Sequence, residues 1–454
     1  MIFGVKNAVP VLFFGDIAVF SFSLWLTLVV RYWGIPSAEI LQLHAWPFSF
    51  LFAFWILVFY ITGLYGKGVI LFKNEFPRAM LRAQIFNVVA AALFFFFIPQ
   101  IGIAPKTNLA IYLVISLALI FVWRLAVFPR ITRPSSRERA AIIGSGPEVD
   151  ELVREVNNNR RYYLEFYVVA DPLVLKGSAF DAFARDLSEA NVSIIVIDTE
   201  HDAVRAILPR VYELAFVSKR YQFINFYRVY EDVFDRVPLS LLQYGWFLKN
   251  VSLTETTVYA LMKRLIDIIG GLAMGLVTLV AIPFVFIAMR LEGPGPLFIT
   301  QTRFGQGGSR TQVYKFRSMR FSDQGAWKGE GANRITRVGS ILRKTSLDEF
   351  PQFLNVLRGD LSLIGPRNDI ESLGLRLAEA IPYYNVRYVV KPGITGWAQI
   401  NQRYEPGNIS PQSIEETKVR LAYDFYYIKN RSLALDIVIA LKTLKRLFFR
   451  VSSW

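Results

Sequence analysis

The sequence contains no cysteine and only two histidines, His44 and His201, among 454 residues. The absence of cysteine excludes disulfides, thiolate catalysis and cysteine-based zinc sites. Two histidines far apart in the chain argue against histidine-based catalysis or metal binding. An acid, base or nucleophile is therefore expected to be Asp, Glu, Lys, Ser or Tyr.

Charged residues are also scarce, at 19%, whereas hydrophobic residues make up 53% and aromatic residues 15% of the chain. Soluble domains contain fewer apolar residues, so part of this chain is expected to lie in lipid. The net charge of +15 fits a protein that faces anionic lipid, phosphates or both. A general excess of cations in cytoplasmic loops accounts for part of it. The first apolar run lacks a small-residue cleavage pattern, so no cleaved signal peptide is expected.

Four apolar runs fill the N-terminal part of the chain: Val9–Val30, Phe48–Leu64, Leu81–Pro99 and Leu109–Phe128. Each is close to the ~20 residues that a membrane-spanning helix needs. Asp16 interrupts the first run. We expect it to snorkel toward the membrane surface, with a packing contact inside the bundle as the alternative.

The cations between these runs predict the orientation of the bundle. Only Lys106 lies between the third and fourth runs. The other connections carry Lys67, Lys73, Arg78 and Arg82 after the second run, and Arg130, Arg133, Arg137 and Arg139 after the fourth. The positive-inside rule then predicts that both ends of the bundle lie in the cytoplasm.

A stretch typical of an α/β domain follows. The segment "RAAIIGSGPEVDELV" predicts a strand, a turn at Gly144 and Gly146, and a helix, and "FYVVAD" and "SIIVID" predict further buried strands. This alternation predicts a parallel, Rossmann-like sheet. The third glycine of a dinucleotide-binding fingerprint would fall at Val149, so a structural or regulatory role is favoured over nucleotide binding.

A fifth apolar run, Leu265–Met289, has the length to span a membrane. If this run spanned the membrane, everything after it would lie on the opposite side from the α/β domain. Cations flank the run on both sides, so no charge asymmetry favours crossing. Pro283 removes one helix hydrogen bond and favours a kink. We therefore predict a re-entrant helix that enters one leaflet and returns, with a fifth span as the alternative.

The last helical pattern lies in "SLALDIVIALKTLKRLFFR". Its apolar residues recur at helical spacing, and cations crowd its end. The apolar positions are Leu433, Ile437, Leu441, Leu444 and Phe448. The pattern predicts an interfacial amphipathic helix, with a helix packed on the domain core as the alternative.

Cations are dense in the region from Gln301 to Tyr404. They are Lys315, Arg317, Arg320, Arg334, Arg337, Arg343, Lys344, Arg367, Lys391 and Arg403. Such a cluster is costly unless anions neutralise it. Guanidinium groups bind phosphate oxygens bidentately, which indicates phosphate-bearing ligands.

Two adjacent carboxylates, Asp348 and Glu349, lie within this basic region in "TSLDEFPQFLNVLRGDLSLIGPRND". Without cysteine, a carboxylate is the best available nucleophile for a phosphoryl centre. The second carboxylate could hold a metal that neutralises a diphosphate. From spacing alone, a surface acid pair at a helix start with Ser346 as N-cap is the simpler interpretation.

From about Lys263 onward the chain contains, in order, the motifs "KRLIDIIGG", "GPGPLFITQTRFG", "YKFRSMR", "LRKTSLDEFPQFLNVLRGDLSLIGPR" and "KPGITGWAQINQR". In these motifs the chain resembles the bacterial sugar transferase family, the monotopic polyprenyl-phosphate hexose-1-phosphate transferases. The part before them resembles the long-form members of the family.

The resemblance implies a membrane protein with three parts. They are an N-terminal four-helix transmembrane bundle (1–132), a cytoplasmic α/β Rossmann-like domain (133–250) and a C-terminal monotopic α/β catalytic domain (251–454) with a re-entrant membrane helix (265–289). The expected location is the bacterial inner (cytoplasmic) membrane, multi-pass, with the catalytic domain on the cytoplasmic face.

The resemblance further implies Asp348 as the nucleophile that forms an aspartyl–phosphosugar intermediate, and Glu349 as the acid associated with Mg²⁺. The expected phosphate-binding cations are Lys315, Arg317, Arg343 and Arg367. The implied donor is a UDP-sugar, the acceptor is polyprenyl (undecaprenyl) phosphate, and UMP is released. The product would begin exopolysaccharide, capsule or O-antigen synthesis. Membrane lipids and a second copy in a homodimer are further expected partners; nucleic acid is not.

Two positions depart from the family pattern. Asn368 follows Arg367 where many relatives have proline, and Ile282 precedes Pro283 where many have serine. Two other functions stay open. One is a glycosyltransferase that moves only the sugar and releases UDP, and the other is a non-catalytic membrane scaffold or regulator of polysaccharide assembly.

Overall fold

The computed structural model describes residues 5–62, 64–65, 76–97, 105–128, 137–159, 162, 164–199, 201–216, 221–251, 257–319, 335–404 and 410–451. The chain divides into two compact units, Met1–Val233 and Phe234–Trp454. The predicted loop cations Lys67, Lys73, Arg130 and Arg133, and Arg320 and Arg334 of the basic region, lie outside the described residues.

The first unit begins with four apolar helices that overlap the four predicted runs, although the second begins ten residues before its run. They are α1 (Val5–Tyr32), α2 (Ala38–Ile61), α3 (Phe76–Phe97) and α4 (Pro105–Val122), and one π-helical turn, Trp123–Val127, follows α4. Large aromatic side chains fill the space between the helices. Phe20, Trp55 and Tyr112 are all fully buried there.

Asp16 lies inside this bundle, so the prediction that it snorkels is wrong. Its carboxylate accepts a hydrogen bond from Arg124 Nε at 3.0 Å and one from the Tyr65 hydroxyl at 2.8 Å. Gly15, the preceding residue, makes room for the Trp123 ring, because a Cβ there would lie 1.8 Å from it. A buried charge in lipid needs a partner, and the π-helical turn supplies it.

The described residues include four helices long and apolar enough to cross a membrane. They are Pro10–Tyr32, Ala38–Ile61, Thr107–Val127 and Thr257–Glu292, and Ala83–Phe97 is a shorter apolar helix. By length and composition, the chain is a membrane protein.

The first unit also contains a parallel sheet with the strand order β2-β1-β3-β4. Its strands are β1 (Glu138–Ile143), β2 (Leu164–Ala170), β3 (Ile194–Ile197) and β4 (Gln222–Asn225). The helices around it are α5 (Pro147–Asn158), α6 (Ser178–Glu189) and α7 (Asp202–Phe216), and α8 (Phe226–Phe234) follows β4. Gly146 precedes α5 with φ +112°, a backbone conformation that favours glycine. The expected parallel α/β arrangement is present, while its kinship to nucleotide-binding folds stays a prediction.

The second unit mixes short strands with helices. Its helices are α9 (Tyr244–Asn250), α10 (Thr257–Glu292), α11 (Arg337–Thr345), α12 (Phe353–Arg358), α13 (Glu371–Ala380), α14 (Trp397–Asn401), α15 (Ile414–Asn430) and α16 (Leu433–Val451). Its strands are β5 (Phe298–Phe304), β6 (Arg310–Phe316), β7 (Ser362–Ile364) and β8 (Gly393–Thr395). Short 3₁₀ turns span Leu239–Leu241, Gln306–Gly308, Leu347–Gln352 and Tyr384–Val389. Strands β5 and β6 form an antiparallel hairpin, and β7 pairs in parallel with β8.

Helix α10 contains the fifth apolar run and is longer than predicted, with 36 residues and Pro283 inside it. Near its start, the Asp267 carboxylate accepts hydrogen bonds from Ser362 Oγ and Leu363 N, both at 2.9 Å. Near its end, Val285 and Met289 belong to an apolar cluster with Phe316 and Leu342. Both ends of the helix therefore pack on the second unit. Its re-entrant course stays a prediction.

Helix α16 turns the middle of its predicted apolar stripe outward, while Leu433 at its start is half-buried. Ile437, Leu441 and Leu444 are 51%, 62% and 51% exposed, while Asp436 and Ile439 face the interior of the unit. The side chain of Phe448 lies outside the described residues. An outward apolar stripe is typical of an interfacial helix.

Candidate active site

The acid pair follows a sharp reversal of the chain after α11. Ser346 ends this helix in the left-handed region, with φ +58°, and the 3₁₀ turn Leu347–Gln352 starts directly after it. The Ser346 side chain makes no capping hydrogen bond to this turn. The reversal directs Asp348 into the unit, where only 7% of the residue is exposed. The interpretation as a surface acid pair with a serine cap is therefore wrong.

Glu349 is held by two cations. Arg367 donates to both carboxylate oxygens, from Nη1 to Oε2 at 3.1 Å and from Nη2 to Oε1, and Lys315 Nζ lies 3.4 Å from Oε1. Burial raises the pKa of Glu349, but the charges of Arg367 and Lys315 outweigh it and hold the pKa well below its usual range. Glu349 is thus an ionised, immobilised carboxylate.

Asp348 lies in a different environment although it is the next residue in the chain. None of the residues that the structure describes donates a hydrogen bond to its carboxylate. Burial, and next the charge of Glu349, raise the pKa of Asp348, and the cations Lys315, Arg343 and Arg367 oppose them. A buried carboxylate without hydrogen bonds keeps its lone pairs available, as a nucleophile requires.

Lys315 lies on β6, opposite Ile299 of β5. Its side chain is only 11% exposed, although the alternation in the sequence is typical of an exposed strand. Burial, and next the nearby charge of Arg303, lower the pKa of Lys315 to about 8, and the charge of Glu349 opposes them. Lys315 can therefore change protonation state near neutral pH.

The predicted cations Arg343 and Arg317 occupy different places. The Arg343 charge acts on Asp348, and its buried Nε has no hydrogen-bond partner among the described residues. Arg317 donates to the carbonyl of Pro294 at 2.8 Å, in the turn after α10. The structure thus brings Lys315, Arg343 and Arg367 to the acid pair, and Arg317 to a neighbouring turn. The phosphate-binding role of Arg317 stays a prediction.

A buried network of charges behind Arg367 was missed at the level of the sequence. Arg387, only 2% exposed, donates from Nη2 to the Arg367 carbonyl at 2.7 Å and to Asp424 at 2.8 Å. It also donates to Asp369, which accepts from Arg420 Nη2 at 2.9 Å. Single charges inside the apolar stretches "NVRYVV" and "LAYDFYY" were the available signal, because such residues are rarely buried without partners.

Asn368, which departs from the family pattern, is bound to the β5 strand. Arg303 Nη1 donates to both the Asn368 carbonyl and its Oδ1, each at 3.0 Å. On the other side of the same segment, Gly365 N donates to the Thr395 carbonyl at 2.9 Å. The backbone around Arg367 is therefore fixed from two sides.

The motif "KPGITGWAQINQR" packs against the backbone next to Arg367 and adds no cation to the group around the acid pair. A Cβ on Gly393 would lie 2.1 Å from Gly365 N, so only glycine permits this contact with the segment of Arg367. Trp397 Nε1 donates to the Asp235 carbonyl at 2.7 Å. Arg403 is exposed.

Comparison with known proteins identifies the class of this chain. The family model described as "Bacterial sugar transferase" matches residues 258–450. The chain is also 40% identical over 193 residues to the UDP-glucose:undecaprenyl-phosphate glucose-1-phosphate transferase of Caulobacter vibrioides, a match covering 41% of this chain and 70% of that protein. The chain belongs to the bacterial sugar transferase family.

Two longer relatives are matched over smaller fractions of their length. The chain is 40% identical over 204 residues to the UDP-N-acetylgalactosamine-undecaprenyl-phosphate N-acetylgalactosaminephosphotransferase of Aeromonas hydrophila, covering 43% of this chain and 45% of that protein. It is 31% identical over 343 residues to the undecaprenyl-phosphate glucose phosphotransferase of Komagataeibacter xylinus, covering 71% of this chain and 61% of that protein. The first of these matches thus spans less than half of the relative.

Proposed function

We propose that this chain is an initiating phosphoglycosyl transferase. It moves hexose-1-phosphate from a UDP-sugar to a membrane polyprenyl phosphate and releases UMP, at the start of exopolysaccharide, capsule or O-antigen synthesis. The names of its relatives describe such transfers to undecaprenyl phosphate. The observation that carries the proposal is the buried, unbonded Asp348 carboxylate among three cations beside an immobilised Glu349.

In the first step a carboxylate oxygen of Asp348 attacks the phosphorus that bears the sugar. A bond forms between this oxygen and the phosphorus, and the bond from the phosphorus to the bridging oxygen breaks, so that UMP leaves with the electron pair. Arg343 and Lys315 neutralise charge that develops on the phosphoryl oxygens. Positioning of this kind supplies most of the catalysis in phosphoryl transfer.

In the second step an oxygen of polyprenyl phosphate attacks the same phosphorus. The bond from the phosphorus to Asp348 breaks, which restores the carboxylate and yields the polyprenyl-diphosphate sugar. Both substrates are anions, and each would bind in turn beside the same cations, Lys315 and Arg343. These two steps explain why Asp348 is left without a hydrogen bond while Glu349 is held by Arg367.

The residues present could hold Mg²⁺ only together with oxygen ligands from the substrate. The described residues contain no group of three His, Cys, Asp or Glu that could hold a metal. Asp348 and Glu349 offer the oxygen ligands that Mg²⁺ prefers, and a diphosphate and water would complete its coordination. Glu349, which stands in a charged pair, would be the protein ligand. Bound Mg²⁺ would neutralise the charge of the diphosphate.

We further propose that α10 is re-entrant and that the catalytic unit lies on the cytoplasmic face of the bacterial inner membrane. Two observations support this course. Both ends of α10 are bonded to or packed on the same polar unit, at Asp267 and at Met289. On the opposite face, Leu276 and Phe284 are 66% and 69% exposed, as expected of side chains that contact lipid.

The deciding experiment identifies the nucleotide product. Membranes containing the protein are mixed with polyprenyl phosphate, Mg²⁺ and a panel of UDP-sugars, and UMP is separated from UDP. We expect UMP that depends on the lipid and disappears in Asp348→Asn. UDP would indicate transfer of the sugar alone, and no product from any donor would favour a scaffold. Turnover retained by Asp348→Asn would exclude the covalent intermediate.

A further inference from the structure

A cavity of about 160 Å³ lies beside the first turns of α10, away from the acid pair. Residues of α10, of the segment before β8 and of the end of α15 form its walls. The polar members of its lining include Tyr259, Lys263, Arg264, Asp267, Lys391 and Arg431. Asp348, Glu349 and Arg367 do not line it.

The lining of the cavity carries a net positive charge. Its lining contains four cations and one acid, Asp267. The Asp267 carboxylate is already engaged by Ser362 and Leu363 at the start of β7. Lys391 has no bonded partner among the residues that the structure describes. Lys263 is paired with Asp436 at 3.0 Å, so the cavity keeps Lys391 as its unpaired cation within a net positive lining, which favours an anionic occupant.

Apolar surfaces border the cavity. On α10, Val258, Leu261 and Leu265 are 71%, 63% and 49% exposed. Helix α16, with its outward apolar stripe, is joined to the same end of α10, because the Tyr259 hydroxyl donates to Asp436 at 3.0 Å. An occupant would thus find cations for an anionic group and exposed apolar side chains for a hydrocarbon chain.

We propose that this cavity binds the phosphodiester head group of a membrane phospholipid, with Lys391 as its main contact and the acyl chains along α10. Basic pockets beside membrane helices at the cytoplasmic surface commonly bind anionic lipid head groups. Lys263 donates to the Ile364 carbonyl at 2.9 Å, one residue before the segment that carries Arg367. The lipid site thus adjoins the strand that leads to Arg367, and it is independent of the proposed reaction.

The test uses the full-length protein in a non-ionic detergent, after removal of co-purified lipid. Binding of dioctanoyl-phosphatidylglycerol, of dioctanoylglycerol and of inorganic phosphate is measured by native mass spectrometry and by the shift in Tm. The variant is Lys391→Gln, and Lys391→Arg restores the charge. Lys418→Gln is the matched control, since Lys418 lies on the same unit with a 39% exposed side chain paired to Glu415.

We expect the phospholipid to bind to the wild type, to Lys391→Arg and to Lys418→Gln, and to bind about tenfold more weakly to Lys391→Gln, the scale of one charge-assisted hydrogen bond. Dioctanoylglycerol, without the phosphate, should show no such dependence on Lys391. Inorganic phosphate binding as tightly as the lipid would overturn the lipid as occupant. Equal lipid binding by Lys391→Gln and Lys418→Gln would overturn the site itself.

Discussion

At the scale of single residues, the site separates two neighbouring carboxylates by their surroundings. Glu349 is held in a charged fork by Arg367, whereas Asp348 is buried without a hydrogen bond. Holding an unbonded carboxylate in the interior costs stability, because burial disfavours the charged form. Such a cost is tolerated at a site where the group must react.

The first prediction concerns the stability of Asp348→Asn. The pKa of Asp348 is raised in the folded state, so its charge opposes folding at pH 7. We expect Asp348→Asn to stabilise the protein by about 1 kcal/mol and to raise Tm by ~2–4 °C at pH 7. The gain should shrink as the pH falls through the raised folded-state pKa and vanish at about pH 3, well below the ordinary aspartate pKa of ~3.9, where the group is protonated in both states. The measurement is a thermal melt of the detergent-solubilised protein at both pH values.

Glu415→Gln is the matched control for this prediction. The Glu415 side chain is 79% exposed on the same unit, so its neutralisation should not raise Tm. A Tm for Asp348→Asn at or below that of the wild type at pH 7 would contradict the account of Asp348 as an unsatisfied buried charge.

At the scale of elements, helix α10 packs against the segment that follows the acid pair. Its glycines allow close approach: a Cβ on Gly271 would lie 3.1 Å from Leu357, and one on Gly275 would lie 2.9 Å from Phe353. Phe353 begins α12, directly after the 3₁₀ turn that contains Asp348. Packing on α10 therefore sets the position of this turn.

We predict that Gly275→Val displaces the turn. The added side chain would press on Phe353, and overpacking of this kind costs roughly 1–3 kcal/mol. We expect a lower Tm and a loss of UMP release of at least about tenfold. Ala273→Val is the control, because it adds a valine to the exposed face of the same helix. If the two variants have equal Tm and activity, then the glycine face of α10 does not position the turn.

At the scale of the whole molecule, the sequence predicted what depends on local pattern. Apolar length located α1 to α4, and alternating strand and helix signals located the parallel sheet. Asp16 was misplaced because its partner Arg124 is 108 residues away in the chain, a distance that no local pattern bridges. The burial of Lys315 escaped prediction because it depends on which face of the β5–β6 hairpin is covered. Spacing alone favoured a surface acid pair, and only the fold shows that Asp348 is buried.

The last prediction tests the course of the chain through the membrane. Since the chain has no cysteine, single cysteines can be introduced without a background. The Asp202 and Glu415 side chains, before and after α10, are 81% and 79% exposed. A re-entrant α10 leaves both on the cytoplasmic side, whereas a spanning α10 separates them. Ile35, 86% exposed between α1 and α2, is expected on the opposite side by the positive-inside rule.

The readout is labelling with a membrane-impermeant maleimide, first in intact cells and then after permeabilisation. We expect Ile35→Cys to react in intact cells, and Asp202→Cys and Glu415→Cys to react only after permeabilisation. Reaction of Glu415→Cys in intact cells, with Asp202→Cys still protected, would show that α10 spans the membrane. It would also place Asp348 on the side away from cytoplasmic UDP-sugars, so the proposed reaction would fail with it. Protection of both cysteines in intact cells would place the acid pair in the cytoplasm, where UDP-sugars are made. Only the lipid product would then need to cross the membrane.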